Sequence, residues 1–174
     1  MSSVIATRKP RARRSHFAGL MLAVLALCAA PARASSTTDS FDVTATVISS
    51  CSVVAQDLTF GNYDPVSATP LDAATTMSVT CTNGTAYQVA LGLGNGTGAT
   101  TTTRYMVNGA NKLGYTLYRD SNRTLLWGQT VGTDTLSGTG TGAAATVNVY
   151  GRVAIAQTAI AGAYQDTVVV TVSW

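Results

Sequence analysis

Glutamate is absent from this 174-residue chain, histidine occurs once (His16), and lysine occurs twice (Lys9 and Lys112). Charged residues make up 11% of the chain, where an ordinary globular domain has roughly 25%. Without Glu and with little Lys, long surface helices lose two of their best formers. Beyond His16 there is no imidazole, so none of the many Ser and Thr hydroxyls has a histidine to activate it. With neither His nor Glu, general acid–base catalysis has few routes. No close, apolar-flanked pair of Asp residues stands out, and Asp39 and Asp42 read as solvated positions. Asp120-Ser121-Asn122 begins like a calcium loop, but the later ligand positions and the terminal Glu are missing. Gly94-Asn95-Gly96-Thr97-Gly98 is glycine-rich, yet no Lys and no helix follow it, which argues against phosphate binding. The chain reads as a non-enzyme without a cofactor or a metal.

The basic residues are placed unevenly. Arg8, Lys9, Arg11, Arg13 and Arg14 precede an apolar stretch from Phe17 to Ala30, and Ala32-Arg33-Ala34 offers the small residues a signal peptidase accepts. The apolar stretch falls short of the roughly 20 residues a spanning helix needs. Residues 1–34 therefore read as a cleaved signal peptide. Arg13-Arg14 is followed by Ser15-His16-Phe17, a poor twin-arginine match, and Leu27 before Cys28 does not suit a lipoprotein. Cleavage leaves five basic residues (Arg104, Lys112, Arg119, Arg123, Arg152) against eight Asp, so the formal charge of +3 becomes −3. The basic character belongs to the leader and makes no case for nucleic-acid binding.

What remains, residues 35–174, is rich in Thr, Val, Gly and Ala, which favours pleated strands. Cys51 and Cys81 are its two cysteines. In an exported chain they most simply form one disulfide; a pair of zinc ligands is the alternative, with no His or further Cys to complete it. Period-2 alternation predicts strands at Phe41–Ile48, Leu58–Phe60, Met77–Cys81, Tyr87–Leu93, Tyr105–Val107, Leu113–Leu117, Leu125–Trp127, Val147–Ile155 and Val168–Trp174. Asn83-Gly84 reads as a hairpin turn, and 92–103 and 132–145 read as Gly/Thr-rich loops. Several of these nine segments are short, so they amount to about seven or eight strands with no helix, which suits an immunoglobulin-like β-sandwich. Phe41, Val43, Ala45 and Val47 share one strand face. They form either the first strand of their own domain or a strand added to a neighbour's sheet.

Six segments, in order, carry a family resemblance: Phe41–Val47 leading into Cys51; Leu58-Thr59-Phe60-Gly61-Asn62-Tyr63-Asp64-Pro65; Val79–Gly84; Leu113–Asp120; Val149-Tyr150-Gly151-Arg152; and Gly162–Val172. Together they resemble the spore coat protein U domain family, which includes subunits of archaic, Csu-type chaperone–usher pili. The resemblance implies an incomplete immunoglobulin-like fold that lacks its last strand and is completed by a donor strand. It implies residues 35–50 as a donor segment, with Phe41, Val43, Ala45 and Val47 inserting, and 51–174 as the pilin-like domain. The acceptor groove would be flanked by the last strand, with Val168, Val170, Val172 and Trp174, and the family disulfide maps onto Cys51 and Cys81. Implied partners are a periplasmic chaperone, an outer-membrane usher and like subunits. The implied role is a shaft subunit of a cell-surface pilus, serving attachment and biofilm formation. A self-contained spore-coat or matrix protein is the alternative, and a secreted carbohydrate-binding module, with Trp127 and tyrosines as lining, is a third reading.

Overall fold

A computed structural model describes residues 33–174; the leader reading of residues 1–34 therefore falls almost wholly outside the described residues. The chain divides into two units, Met1–Val43 and Thr44–Trp174. Of the first, residues 33–43 are described, and all are exposed and without helix or strand. The second unit holds eight strands and, among the described residues, no helix: β1 (Cys51–Ala55), β2 (Leu71–Cys81), β3 (Ala86–Leu91), β4 (Arg104–Asn108), β5 (Asn111–Tyr118), β6 (Leu136–Thr139), β7 (Ala144–Val153) and β8 (Val170–Ser173).

They form two antiparallel sheets. One has the order β1-β2-β7-β5-β4 and the other β6-β3-β8. Alternation decides which side chains go between them. Met77, Val79 and Cys81 of β2, Val147, Val149 and Val153 of β7, and Leu113, Tyr115 and Leu117 of β5 are all buried. They meet Tyr87, Val89 and Leu91 of β3, and the result is an immunoglobulin-like sandwich core. Each fully buried Val or Leu stabilises the fold by about 1.5–3 kcal/mol. The turn at Asn83-Gly84 is not the expected hairpin, since β2 and β3 lie in different sheets; it carries the chain from one sheet to the other, and Gly84 supplies its left-handed residue with φ of 79°.

Several expectations change. No strand forms at Phe41–Ile48: residues 44–50 are exposed coil, so this segment is not the first strand of its own domain. Leu58 and Phe60 lie in coil and still reach the core, because their side chains insert without a ladder partner. The Leu125–Trp127 strand reduces to a single bridge between Tyr118 and Leu126. β1 and β6 form where no strand was expected, β6 within the supposed loop 132–145. The last strand is β8, shorter than Val168–Trp174.

Arg104 is fully buried. Its guanidinium donates to four backbone carbonyls, those of Gly92 (2.8 Å), Leu91 (3.1 Å), Trp127 (2.7 Å) and, at the part-buried edge, Thr101 (3.4 Å). Burial pushes its pKa down, and the nearby Tyr115, Asp166 and Asp134 oppose that shift. Trp127 is also fully buried and donates its indole N–H to the Val89 carbonyl at 2.9 Å. This places it in the core and removes it from any sugar-binding surface.

Candidate functional site: an open seam in the sandwich

Among the described residues, four edge strands, β1, β4, β6 and β8, each pair with a single neighbouring strand, and β4 gains an isolated bridge from Val107 to Gln165. β1 pairs with β2 alone, and β8 pairs with β3 alone. The sandwich contains a cavity of about 1270 Å³. Two largely coil stretches, 56–63 and 159–168, supply much of its lining, together with Ala55 of β1 and Val170 of β8. Core residues of both sheets are exposed to it, among them Met77, Leu91, Leu117 and Val149. A closed domain of this size packs its interior to near-crystal density with few voids larger than a water molecule. Here the hydrophobic interior is left unfilled along one seam.

Hydrogen bonds tie the walls to the sheets and to each other. Gln157 clamps Gly114 of β5, accepting from its N–H at 2.7 Å and donating to its carbonyl at 2.8 Å. The Gln157 N–H donates to the Tyr63 hydroxyl at 2.9 Å, and Tyr63 donates to the Ala154 carbonyl at 3.0 Å, so the two coil walls are fastened together at one end. Val107 and Gln165 exchange backbone hydrogen bonds of 2.8 and 3.2 Å. Tyr115 donates its hydroxyl to Asp166 at 2.6 Å, and Asp166 also accepts from the N–H of Asn95 at 2.7 Å. Burial, with the Asp166 carboxylate next in effect, pushes the Tyr115 phenol well above its ordinary range. It stays protonated and remains a donor. With these ties in place, the coil walls are not free to collapse into the cavity.

The sequence-derived residues fall as follows. Cys51 and Cys81 are opposite each other in the β1–β2 register and are joined by a disulfide. Val168 and Val170 line the cavity. Val172 is half-buried against the core but does not line it. Trp174 is 58% exposed, past the end of β8, beside a separate shallow hollow bordered by Tyr87, Gln88 and Ser137. Phe41, Val43 and Val47 are 86%, 83% and 84% exposed, and Ala45 is exposed too. Sequence reasoning did not assign Leu58, Phe60, Met77 and Leu117 to a site. Their strand parity marked them as apolar and inward-facing, but parity does not tell a filled interior from an open one. The Asp120 carboxylate is committed to its own turn, where it accepts from the N–H groups of Thr124 and Leu125.

Residues 37–171 match the family described as the Spore Coat Protein U domain, and that match starts upstream of Phe41. Protein U of Myxococcus xanthus is 37% identical over 159 residues, covering 83% of this chain and 88% of that protein. A solved structure of similar fold is the CsuC–CsuE chaperone–tip adhesion subunit pre-assembly complex from archaic chaperone-usher Csu pili of Acinetobacter baumannii. It matches with a TM-score of 0.52 and 27% identity, over 74% of this chain and 40% of that one. This chain thus spans well under half of the solved chain it matches. On the family match, which covers most of its length, the chain belongs to the Spore Coat Protein U domain family.

Proposed function

We propose that this protein is a structural subunit of a chaperone–usher pilus, assembled by insertion of one subunit's N-terminal segment into the open seam of the next. The observation that carries this reading is the pairing of an unfilled apolar seam with an exposed apolar strand pattern in the same chain. The cavity of about 1270 Å³ lies in a sandwich whose β1 and β8 each have an unpartnered edge. Phe41, Val43, Ala45 and Val47 alternate with Asp42, Thr44 and Thr46, so an extended strand would place the apolar set on one face. Strand addition of this kind takes affinity from main-chain hydrogen bonds and specificity from alternate side chains. Val168 and Val170, together with Leu58 and Phe60, supply the apolar surface that would receive them.

In this reading residues 35–50 are the donor segment and 51–174 the acceptor domain. A periplasmic chaperone would hold the seam before assembly, an outer-membrane usher would secrete the fibre, and attachment and biofilm formation would follow at the cell surface. Likeness to a subunit captured in a chaperone complex supports the chaperone partner.

The test is Val43→Asp in the exported chain. A carboxylate forced into an apolar seam without a partner is strongly disfavoured. Polymers should vanish while folded, chaperone-bound subunit persists. Polymers of wild-type length and stability would overturn the proposal.

A further inference from the structure

The donor segment and the seam belong to one chain, so a subunit could in principle close on itself. We infer that Thr82 hinders this by pinning residues 48–50 beside the end of β2, so that they are not free to form the reversal that entry into the chain's own seam requires. The inference rests on the strand-insertion reading above and assigns Thr82 as a positioning residue for it.

The geometry is specific. Beyond the Cys51–Cys81 pair, the β1–β2 ladder gains one more rung, with the Thr82 N–H donating to the Ser50 carbonyl at 2.9 Å. The Thr82 hydroxyl then grips the same stretch from the side. It accepts from the Ser50 N–H at 3.1 Å, and its own proton is within reach of the Ile48 and Ser50 carbonyls, both at 3.3 Å. Since the Ser50 carbonyl already has the Thr82 N–H, the Ile48 carbonyl is the acceptor without another partner. The disulfide anchors the next residue on each strand. Residues 48–50 are thus tied beside Thr82, just past the end of β2, although they form no regular strand.

Self-insertion needs a reversal. The cavity is lined from Ala55 onward, so a segment entering it from the same chain must double back alongside β1. A hairpin loop takes at least about two residues. With Ile48 and Ser50 held by Thr82, that loop must be made upstream of Ile48. It would then consume Thr46 and Val47 and carry Val47 out of the inserting set. Released from Thr82, residues 48–50 can form the loop, and all four of Phe41, Val43, Ala45 and Val47 remain available. A second copy has no such restriction. The clamp therefore favours exchange between copies over closure within one.

The experiment compares wild type with Thr82→Val and Thr82→Ser in the full exported chain, reading oligomer distribution by size-exclusion chromatography with light scattering. Thr82→Val keeps the backbone rung and removes the hydroxyl. It should raise the ratio of closed monomer to polymer about fivefold, the effect of roughly one net hydrogen bond. The closed monomer should no longer take up a labelled peptide spanning residues 37–48. Thr82→Ser should restore the wild-type distribution. If Thr82→Val does not fold, three glycines inserted between Val47 and Ile48 give the slack for a loop with Thr82 intact, and should also produce closed monomer. Distributions indistinguishable from wild type in the folded variants, with the peptide still taken up, would overturn the clamp alone. Failure of every variant and of wild type freed of its own segment to take up the peptide would overturn the strand-insertion reading itself.

Discussion

Replacing Arg104 with methionine should destabilise the domain by about 3–5 kcal/mol, the cost of buried carbonyls left without a donor less the relief of no longer burying a charge. The side chain is fully buried, and its guanidinium satisfies the carbonyls of Gly92, Leu91 and Trp127. Methionine fills similar volume and offers no donor. Three carbonyls would be left in a dry interior, each costing about 1–3 kcal/mol. Relief from burying a charge offsets part of that, which is why the net falls below the sum. For a domain of this size the melting temperature should drop by about 10–20 °C. Two of the carbonyls sit at the end of β3, where Leu91 pairs with Val170 and the Gly92 N–H donates to Val169. The same substitution should therefore loosen β8 and weaken uptake of a peptide spanning residues 37–48. The assay is thermal and urea unfolding, followed by peptide titration on whatever remains folded. Arg104→Lys, which keeps the charge but reaches fewer carbonyls, should fall between. A methionine variant within about 1 kcal/mol of wild type, the loss of an ordinary substitution, would refute the claim that these carbonyls depend on Arg104.

Other outcomes follow from the same structure. Replacing both Cys51 and Cys81 with Ser should cost about 3–4 kcal/mol, from the chain entropy of a loop with ends 30 residues apart, measured by urea melts under matched conditions. Asp72 accepts from Arg152 at 2.7 and 2.9 Å and lies 3.3 Å from Arg123. The hydrogen bond from Arg152 outweighs burial and, with the Arg123 charge, holds its carboxyl below the usual range. Its folded pKa is thus below the unfolded value, so its contribution is present above the ordinary carboxylate range and is lost as pH falls through the folded pKa. Asp72→Asn should lower stability at pH 7 by at most about 1 kcal/mol, since the pair is partly solvated. Wild type and variant should converge in melts at about pH 2, and a gap that stays constant with pH would contradict the assignment.

Much of the sandwich was legible because its strands obey alternation. Met77-Val79-Cys81, Leu113-Tyr115-Leu117 and Val147-Val149 announce β2, β5 and β7 through the residues that fill the core. β6 was hidden for a physical reason. Gly138 sits in the strand because a Cβ there would collide with the Tyr87 ring, and a glycine among Ser and Thr reads as loop. β1 was hidden because it is a short edge strand whose Val54 faces solvent, which blurs its two-sided pattern. Leu58 and Phe60 alternate like a strand but pack from coil, and Gly151 makes room for both, since a Cβ there would lie 2.7 Å from each. The apolar alternation at Phe41–Val47 was visible in sequence, whereas its failure to pair within the domain was not. The burial of Arg104 gave no sequence signal at all, because its partners are backbone carbonyls from separate segments.

The central claim is that the seam is built to receive residues 37–48. The most direct measurement is a thermal melt of residues 49–174 alone and with a peptide spanning Thr37–Ile48. Burying Phe41 and the two valines should supply enough apolar contact for saturable binding. At roughly a hundredfold excess over Kd the gain is about 2.7 kcal/mol, a rise in melting temperature of about 10 °C. A peptide with Val43→Asp should give none of it. A truncated domain that is already stable and whose melting temperature ignores the peptide would contradict the account and leave a self-sufficient coat or matrix protein in its place.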